Sequence, residues 1–314
     1  MSSNGSVVAL CGGIGGAKLA LGLYRVLPPG KLTLIVNVGD DFEHLGLHVS
    51  PDVDTVLYTL SGLSDPERRW GRAGETWQFM HAVAELGGET WFQLGDRDLA
   101  MHIMRTRWLA RGSLSGFMQH AAARLRITAR VLPATDTPVR TTVVTAEGDL
   151  AFQRYFVERR CEPAVRAVRF DGAASAEPSP EVSAALADSD LRAIVVCPSN
   201  PYLSIDPIIA VPGIRAAIAA AAVPVVCVSP IIGGAAVKGP TAKIMSELGT
   251  PVTNAAIAAH YHGLIDGLVI DVADAEAPRD AVLPHCVTAT LMRTLDDRER
   301  LAREVLAFAD RLAD

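Results

Sequence analysis

The sequence predicts an α/β protein with a doubly wound, mostly parallel, Rossmann-like sheet, a helical insertion and a β-hairpin. Three observations lead there. Short apolar runs such as Val7-Val8-Ala9-Leu10 and Leu32-Thr33-Leu34-Ile35-Val36 read as strands buried on both faces. Between such runs lie stretches with apolar residues at helical spacing, the alternation of a βαβ sheet. The 314 residues are 49% hydrophobic, which argues against disorder and suffices for a substantial core.

The first strand stops in four glycines within five positions, Gly12, Gly13, Gly15 and Gly16, followed by Lys18 and by Leu19, Leu23 and Val26 at helical spacing. A turn without Cβ atoms lets backbone N–H groups approach a phosphate, the helix start adds partial positive charge, and Lys18 adds a full one. Neither familiar fingerprint fits. G-x-G-x-x-G needs glycine at Lys18, and the P-loop needs Gly-Lys-Ser/Thr at Ala17-Lys18-Leu19. The alternative is a tight turn packed against a neighbouring strand.

Residues 32–38 form the second strand, which ends in Gly39-Asp40-Asp41-Phe42-Glu43-His44. Pro51 opens a helix with Asp52 and Asp54 in its first turn and Val53, Val56, Leu57 and Leu60 as its stripe. Residues 60–126 read as a mainly helical insertion over one end of the sheet, with residues 1–59 and 127–314 forming the core of one integrated unit. Residues 139–144 and 150–157 flank Glu147-Gly148-Asp149 as a hairpin. The Ala-, Ser- and Pro-rich segment 171–180 is a surface loop. Strands resume at 193–197, 223–228 and 268–272. The first two end in Pro198-Ser199-Asn200-Pro201 and Ser229-Pro230-Ile231-Ile232-Gly233-Gly234, and a charged amphipathic helix starts near Asp297.

A net charge of −6 argues against nonspecific binding to nucleic acid and favours small ligands. The five cysteines are scattered without a C-x-x-C pair and read as free thiols of a reducing compartment. No signal peptide or membrane span is visible, so the expected location is the cytoplasm, with no membrane partner.

In an open parallel sheet, ligands bind outside the carboxyl ends of the strands, and the glycine turn, Asp40-Asp41, Ser199-Asn200 and Gly233-Gly234 all belong to that edge. Asp40, Asp41, Asp52 and Asp54 offer a hard oxygen site for Mg²⁺. Alternatively, Asp52 and Asp54 offset the helix dipole, and Asp40 binds a ribose. Lys238 and Lys243 near a helix start suggest a second anion site, against the alternative of solvated lysines. Asp96-Arg97-Asp98 presents a guanidinium between carboxylates, or else a cap with a surface ion pair. Arg105, Arg107 and Arg111 read as a solvated helix face, and the histidines as surface or packing residues without zinc spacing.

Several blocks together resemble the 2-phospho-L-lactate transferases of deazaflavin coenzyme F-420 biosynthesis. They are Gly12-Gly13-Ile14-Gly15-Gly16-Ala17-Lys18, Asn37-Val38-Gly39-Asp40-Asp41, Ser50-Pro51-Asp52-Val53-Asp54-Thr55-Val56-Leu57-Tyr58, Leu94-Gly95-Asp96-Arg97-Asp98, Pro198-Ser199-Asn200-Pro201, and Ser229-Pro230-Ile231-Ile232-Gly233-Gly234 with Lys238-Gly239-Pro240. The resemblance implies an Mg²⁺-dependent enzyme that moves a phospho-acid from a guanosine diphospho-linked donor to the deazaflavin Fo, releasing GMP. The acid is phospholactyl, phosphoenolpyruvyl or phosphoglyceryl. It puts Asp54 and Arg97 at the acceptor, Asp40 with Asp54 at the metal and in catalysis, and the glycine turn, Ser199-Asn200 and Gly233-Gly234 on the donor. A homodimer is compatible with this size. The rival reading is a non-catalytic regulator of the same fold that binds a nucleotide or nucleotide-sugar, which need not carry Asp54 with Gly95-Asp96-Arg97-Asp98. A dinucleotide oxidoreductase is disfavoured by Lys18.

Overall fold

The computed structural model describes residues 5–68, 70–236, 239–275 and 283–314. Its centre is a seven-stranded sheet of β1 (Ser6–Cys11), β2 (Leu32–Val36), β3 (Arg130–Pro133), β4 (Leu191–Val196), β5 (Val225–Val228), β6 (Gly267–Asp271) and β7 (His285–Thr288). The order is β7-β6-β5-β4-β1-β2-β3, and every neighbouring pair is parallel. The chain winds outward from β1 to β3, returns to the other side of β1, and winds outward again from β4 to β7. The strand order therefore reverses between β1 and β4, where an open sheet forms its ligand crevice.

β1, β2 and β5 are buried along their whole length, as their apolar runs require. The sequence reading found five of the seven strands and missed β3 and β7. These edge strands have only four residues each, and Arg130, Pro133 and His285 interrupt any apolar run. β2 also stops at Val36, two residues earlier than expected, because the Asn37 side chain turns into a polar cluster.

Helix α1 (Gly13–Val26) packs against α2 (Pro51–Ser61) and against the last helix, Leu295–Ala313, which opens on a capping box between Thr294 and Asp297. Residues 60–126 contain α3 (Gln78–Glu85), α4 (Asp96–Leu109) and α5 (Leu114–Arg124). α5 buries Leu114, Phe117, Met118, Ala121 and Ala122 in the main core and leads directly into β3. It is thus the crossover helix between β2 and β3. A separate small core of Val49, Met80 and Leu94 supports α3 and the hairpin Phe42–His44/Leu47–Val49.

The expected hairpin near Glu147 is present but broader and shorter. Arg140–Thr145 pairs with Gly148–Ala151 on one side and with Val165–Asp171 on the other, giving a three-stranded antiparallel side sheet. Residues 154–157, read as strand, instead lie in a π-helical turn, Arg154–Glu158. No single helix among the described residues is long and apolar enough to cross a membrane.

The contact between α1 and the last helix is close enough to exclude a methyl group, since a Cβ on Gly22 would collide with the Arg298 carbonyl. Gly22→Ala is therefore expected to destabilise the protein by about 1–3 kcal/mol, the usual cost of overpacking. Urea unfolding should show a lower midpoint with an unchanged slope. An unchanged midpoint would contradict this packing.

Candidate functional site

The site is built where the turn after β1 meets the turn after β4. Ser199 Oγ donates to the Gly12 carbonyl at 2.8 Å and accepts from the Gly12 N–H at 3.2 Å. A Cβ on Gly15 would meet the Pro198 carbonyl, and one on Gly16 would meet Ser199 Oγ. Much of the glycine pattern is thus explained by the close approach of two turns. The start of α1 nevertheless faces an anion, because Gly13 N–H donates to Asp52 Oδ1 at 2.6 Å. Lys18 Nζ reaches the Met292 carbonyl at 2.9 Å. Asn200 Oδ1 caps the following turn by accepting from Tyr202 N and Leu203 N, and its Nδ2 is buried without a partner. Gly233 and Gly234 form a hairpin turn whose two N–H groups donate to Asp274 at 3.0 and 3.1 Å.

Three carboxylates lie buried beside this junction: Asp40, Asp41 and Asp52. Asn37 Nδ2 joins two of them, with Asp40 Oδ1 at 3.3 Å and Asp52 Oδ2 at 2.9 Å. Asp41 Oδ2 accepts from Ser50 Oγ at 2.9 Å and lies 3.1 Å from His48 Nε2, whereas its Oδ1 is buried without a partner. Burial pushes the Asp52 carboxyl up to about 6, against hydrogen bonds from Asn37 and Gly13 and with the charge of Asp41 adding to it. Burial also raises Asp40 well above the ordinary range, Asp52 and Asp41 push it further, and Arg140 opposes. Asp40, Asp41 and Asp52 offer carboxylate oxygens, the donor type of a hard divalent cation, although the described residues whose ligand atoms lie within 4.8 Å of one another are Asp54, Asp98 and His102.

Asp54 belongs to a different cluster. Its Oδ1 pairs with Arg105 Nη2, and its Oδ2 lies 3.7 Å from His102 Nδ1. His102 Nε2 is in turn 3.4 Å from Asp98, which accepts from Tyr58 OH at 2.6 Å. Asn37 links Asp40 to Asp52, whereas Asp40 and Asp54, the pair expected at the metal, share no hydrogen-bond partner among the described residues. Residues two apart on a helix point about 200° apart, so Asp52 turns toward α1 while Asp54 turns toward α4. Asp54, Asp98 and His102 could bring ligand atoms within 4.8 Å of one another, but Arg105 already compensates Asp54.

Arg105 corrects a second expectation. It is 0% exposed rather than solvated, and it also donates to the His48 carbonyl at 3.3 Å. Sequence reasoning missed His102 and Arg105, although Asp98, His102 and Arg105 at i, i+4 and i+7 share one face of α4. Arg97, by contrast, is exposed, with Nη1 3.3 Å from the Ala73 carbonyl. Its neighbours are caps: Asp96 accepts from Gln78 N and Phe79 N at the start of α3, and Glu75 accepts from Arg97 N and Asp98 N at the start of α4. Lys243 is neither solvated nor turned to the junction, because its amine is held by the Pro163 carbonyl and Glu247. Lys238 lies outside the described residues.

A cavity of about 200 Å³ opens beside Asp40 and Asp41, walled by Phe42, Trp91, Arg140, Thr141 and Phe152. Arg154 lies over the Trp91 ring at 4.0 Å and pairs with Glu89 at 3.1 Å, joining the insertion to the side sheet across its rim. A second hollow of about 300 Å³, between the end of α1 and the last helix, includes none of these carboxylates. The chemistry therefore points to the smaller cavity.

Residues 7–307 match the family model described as 2-phospho-L-lactate transferase CofD. The chain is 43% identical to a phosphoenolpyruvate transferase of Streptomyces griseus, over 97% of this chain and 98% of that protein. It is 41% identical to one of Mycobacterium tuberculosis, over 81% and 83% respectively. A member of the UPF0052 family from Bacillus halodurans has the same fold, with a TM-score of 0.63, 17% identity, and coverage of 98% of this chain and 99% of that one.

Two measurements check this geometry. Arg105→Met should cost about 3–5 kcal/mol by stranding Asp54, whereas the double variant Arg105→Met/Asp54→Leu should recover much of that loss. Additive losses in urea unfolding would mean that the pair does not interact. The second concerns pH, with a chelator present. The folded Asp52 value of about 6 exceeds an unfolded carboxyl at about 4, so the folded state holds more protons between those values. This group's stabilisation is therefore full below about pH 4 and is lost as pH rises through about 6. Asp52→Asn should flatten that slope, and an identical slope would refute the assignment.

Proposed function

Because the chain belongs to the 2-phospho-L-lactate transferase CofD family of phospho-acid transferases, we propose that it transfers a phospho-acid from a guanosine diphospho-linked donor to a hydroxyl of Fo. Fo is the deazaflavin 7,8-didemethyl-8-hydroxy-5-deazariboflavin, and the step belongs to coenzyme F-420 biosynthesis. The relatives' names favour phosphoenolpyruvyl as the transferred acid. The observation that carries the reading is the trio of buried carboxylates at the reversal of strand order, beside a helix start and a cavity.

In this reading Asp40 and Asp52 hold Mg²⁺, with Asp41 beside them. When bound, Mg²⁺ neutralises charge on the donor diphosphate and at the transferred phosphorus. Asn37 fixes the two carboxylates relative to each other, and the start of α1 lends its N–H groups to the donor. The acceptor oxygen bonds to the phosphorus that bears the acid. The bond from that phosphorus to the bridging oxygen breaks, and GMP leaves with that oxygen. The hydroxyl proton passes to a carboxylate of the cluster. Arg97, exposed at the start of α4, is in this reading the acceptor contact that the family resemblance implies. Asp54 acts through Arg105 by holding α4 in place.

The test supplies the purified protein with Fo, Mg²⁺ and the guanosine diphospho-linked acids, and follows GMP release and product mass. Asp40→Asn removes one charge without stranding Arg105, which makes it a cleaner probe than Asp54→Asn. It should lower transfer about a hundredfold or more, with partial recovery at high Mg²⁺. No product with any donor, or unchanged turnover and Mg²⁺ dependence in the variant, would overturn the proposal.

A further inference from the structure

We propose that Arg140 binds the carboxylate of the transferred acid and so selects donors that carry one. The proposal rests on the transferase reading above and adds the part of the substrate that the carboxylate cluster leaves unrecognised.

Two cationic side chains line the cavity next to Asp40, and they are in different states. Arg154 is engaged by Glu89, by Glu158 at 3.2 Å and by the face of Trp91. Arg140 donates from Nη1 to the Val139 carbonyl at 2.9 Å, and its other donors have no acceptor among the described residues. Thr141 follows it on the same strand and turns its buried side chain to the opposite face, so Arg140 is the group that meets a ligand here. A guanidinium with open donors thus lines the cavity, the group that accepts a carboxylate.

The reaction's geometry brings a carboxylate to this place. In a 2-phosphoryloxy acid the carboxylate carbon is three bonds from phosphorus, hence within about 4 Å of it. In the transferase reading a metal held by Asp40 would draw the phosphoryl group to this side of the cavity, which Arg140 lines together with Asp40. Phe42, Trp91 and Phe152 supply apolar walls for the short carbon skeleton.

Calorimetry with phosphoenolpyruvate, and with inorganic phosphate as the probe lacking a carboxylate, both in saturating Mg²⁺, tests the proposal without turnover. The intact protein should bind phosphoenolpyruvate about tenfold or more tighter than phosphate. Arg140→Gln should weaken phosphoenolpyruvate about ten- to hundredfold and leave phosphate unchanged, with Arg140→Lys recovering part. No preference in the intact protein, an equal loss for both probes, or a loss of Fo binding in place of phosphoenolpyruvate binding would overturn it. A preserved phosphoenolpyruvate preference lost in Arg140→Gln, with no transfer from any guanosine-linked donor, would support Arg140 and reject the reaction instead.

Discussion

The approach of the turn after β1 to the turn after β4 sets the geometry of the whole ligand edge. The two turns exchange a pair of hydrogen bonds through Ser199 and Gly12, and side chains at Gly15 or Gly16 would force them apart. With the turns this close, the start of α1 lies against Asp52 of α2. Asp52 in turn meets Asn37 at the end of β2, and Asn37 meets Asp40. One close contact at the reversal of strand order therefore determines which carboxylates become neighbours.

The two acidic clusters show two ways of treating buried charge. Asp54 is matched by Arg105 in a dry network that also takes in His102, Asp98 and Tyr58, so its role is to join α2 to α4. Asp40, Asp41 and Asp52 have no comparable ion pair with a lysine or arginine among the described residues, and burial holds two of them above the ordinary carboxyl range. Keeping that arrangement costs stability in the free protein, which is the usual sign of groups arranged for a ligand rather than for the fold.

The elements outside the sheet contribute the cavity. The insertion presents Trp91, and the side sheet presents Arg140, Thr141 and Phe152, with Arg154 joining the two over the rim. Asp96 at the start of α4 caps α3, and Glu75 just ahead of α3 caps α4, which ties the two helix starts of the insertion together. The sheet thus supplies carboxylates, and the added elements supply shape and cations.

The sequence by itself determined the fold class, the five inner strands, the glycine turn and the acidic residues at the strand ends. Each of these is a local pattern: an apolar run, a helical stripe, or a residue type beside a strand end. Tertiary structure alone decided that Asp52 and not Asp54 joins Asp40, because that depends on which neighbour each face of α2 meets. It also decided that Arg105 is buried, since a short run of arginines on a helix looks the same whether the helix faces water or a carboxylate. The cavity was equally hidden. Gln153 donates to the Asp40 carbonyl across 113 positions of chain, and Arg140 reaches the same place from a different sheet, so only packing could bring these groups together.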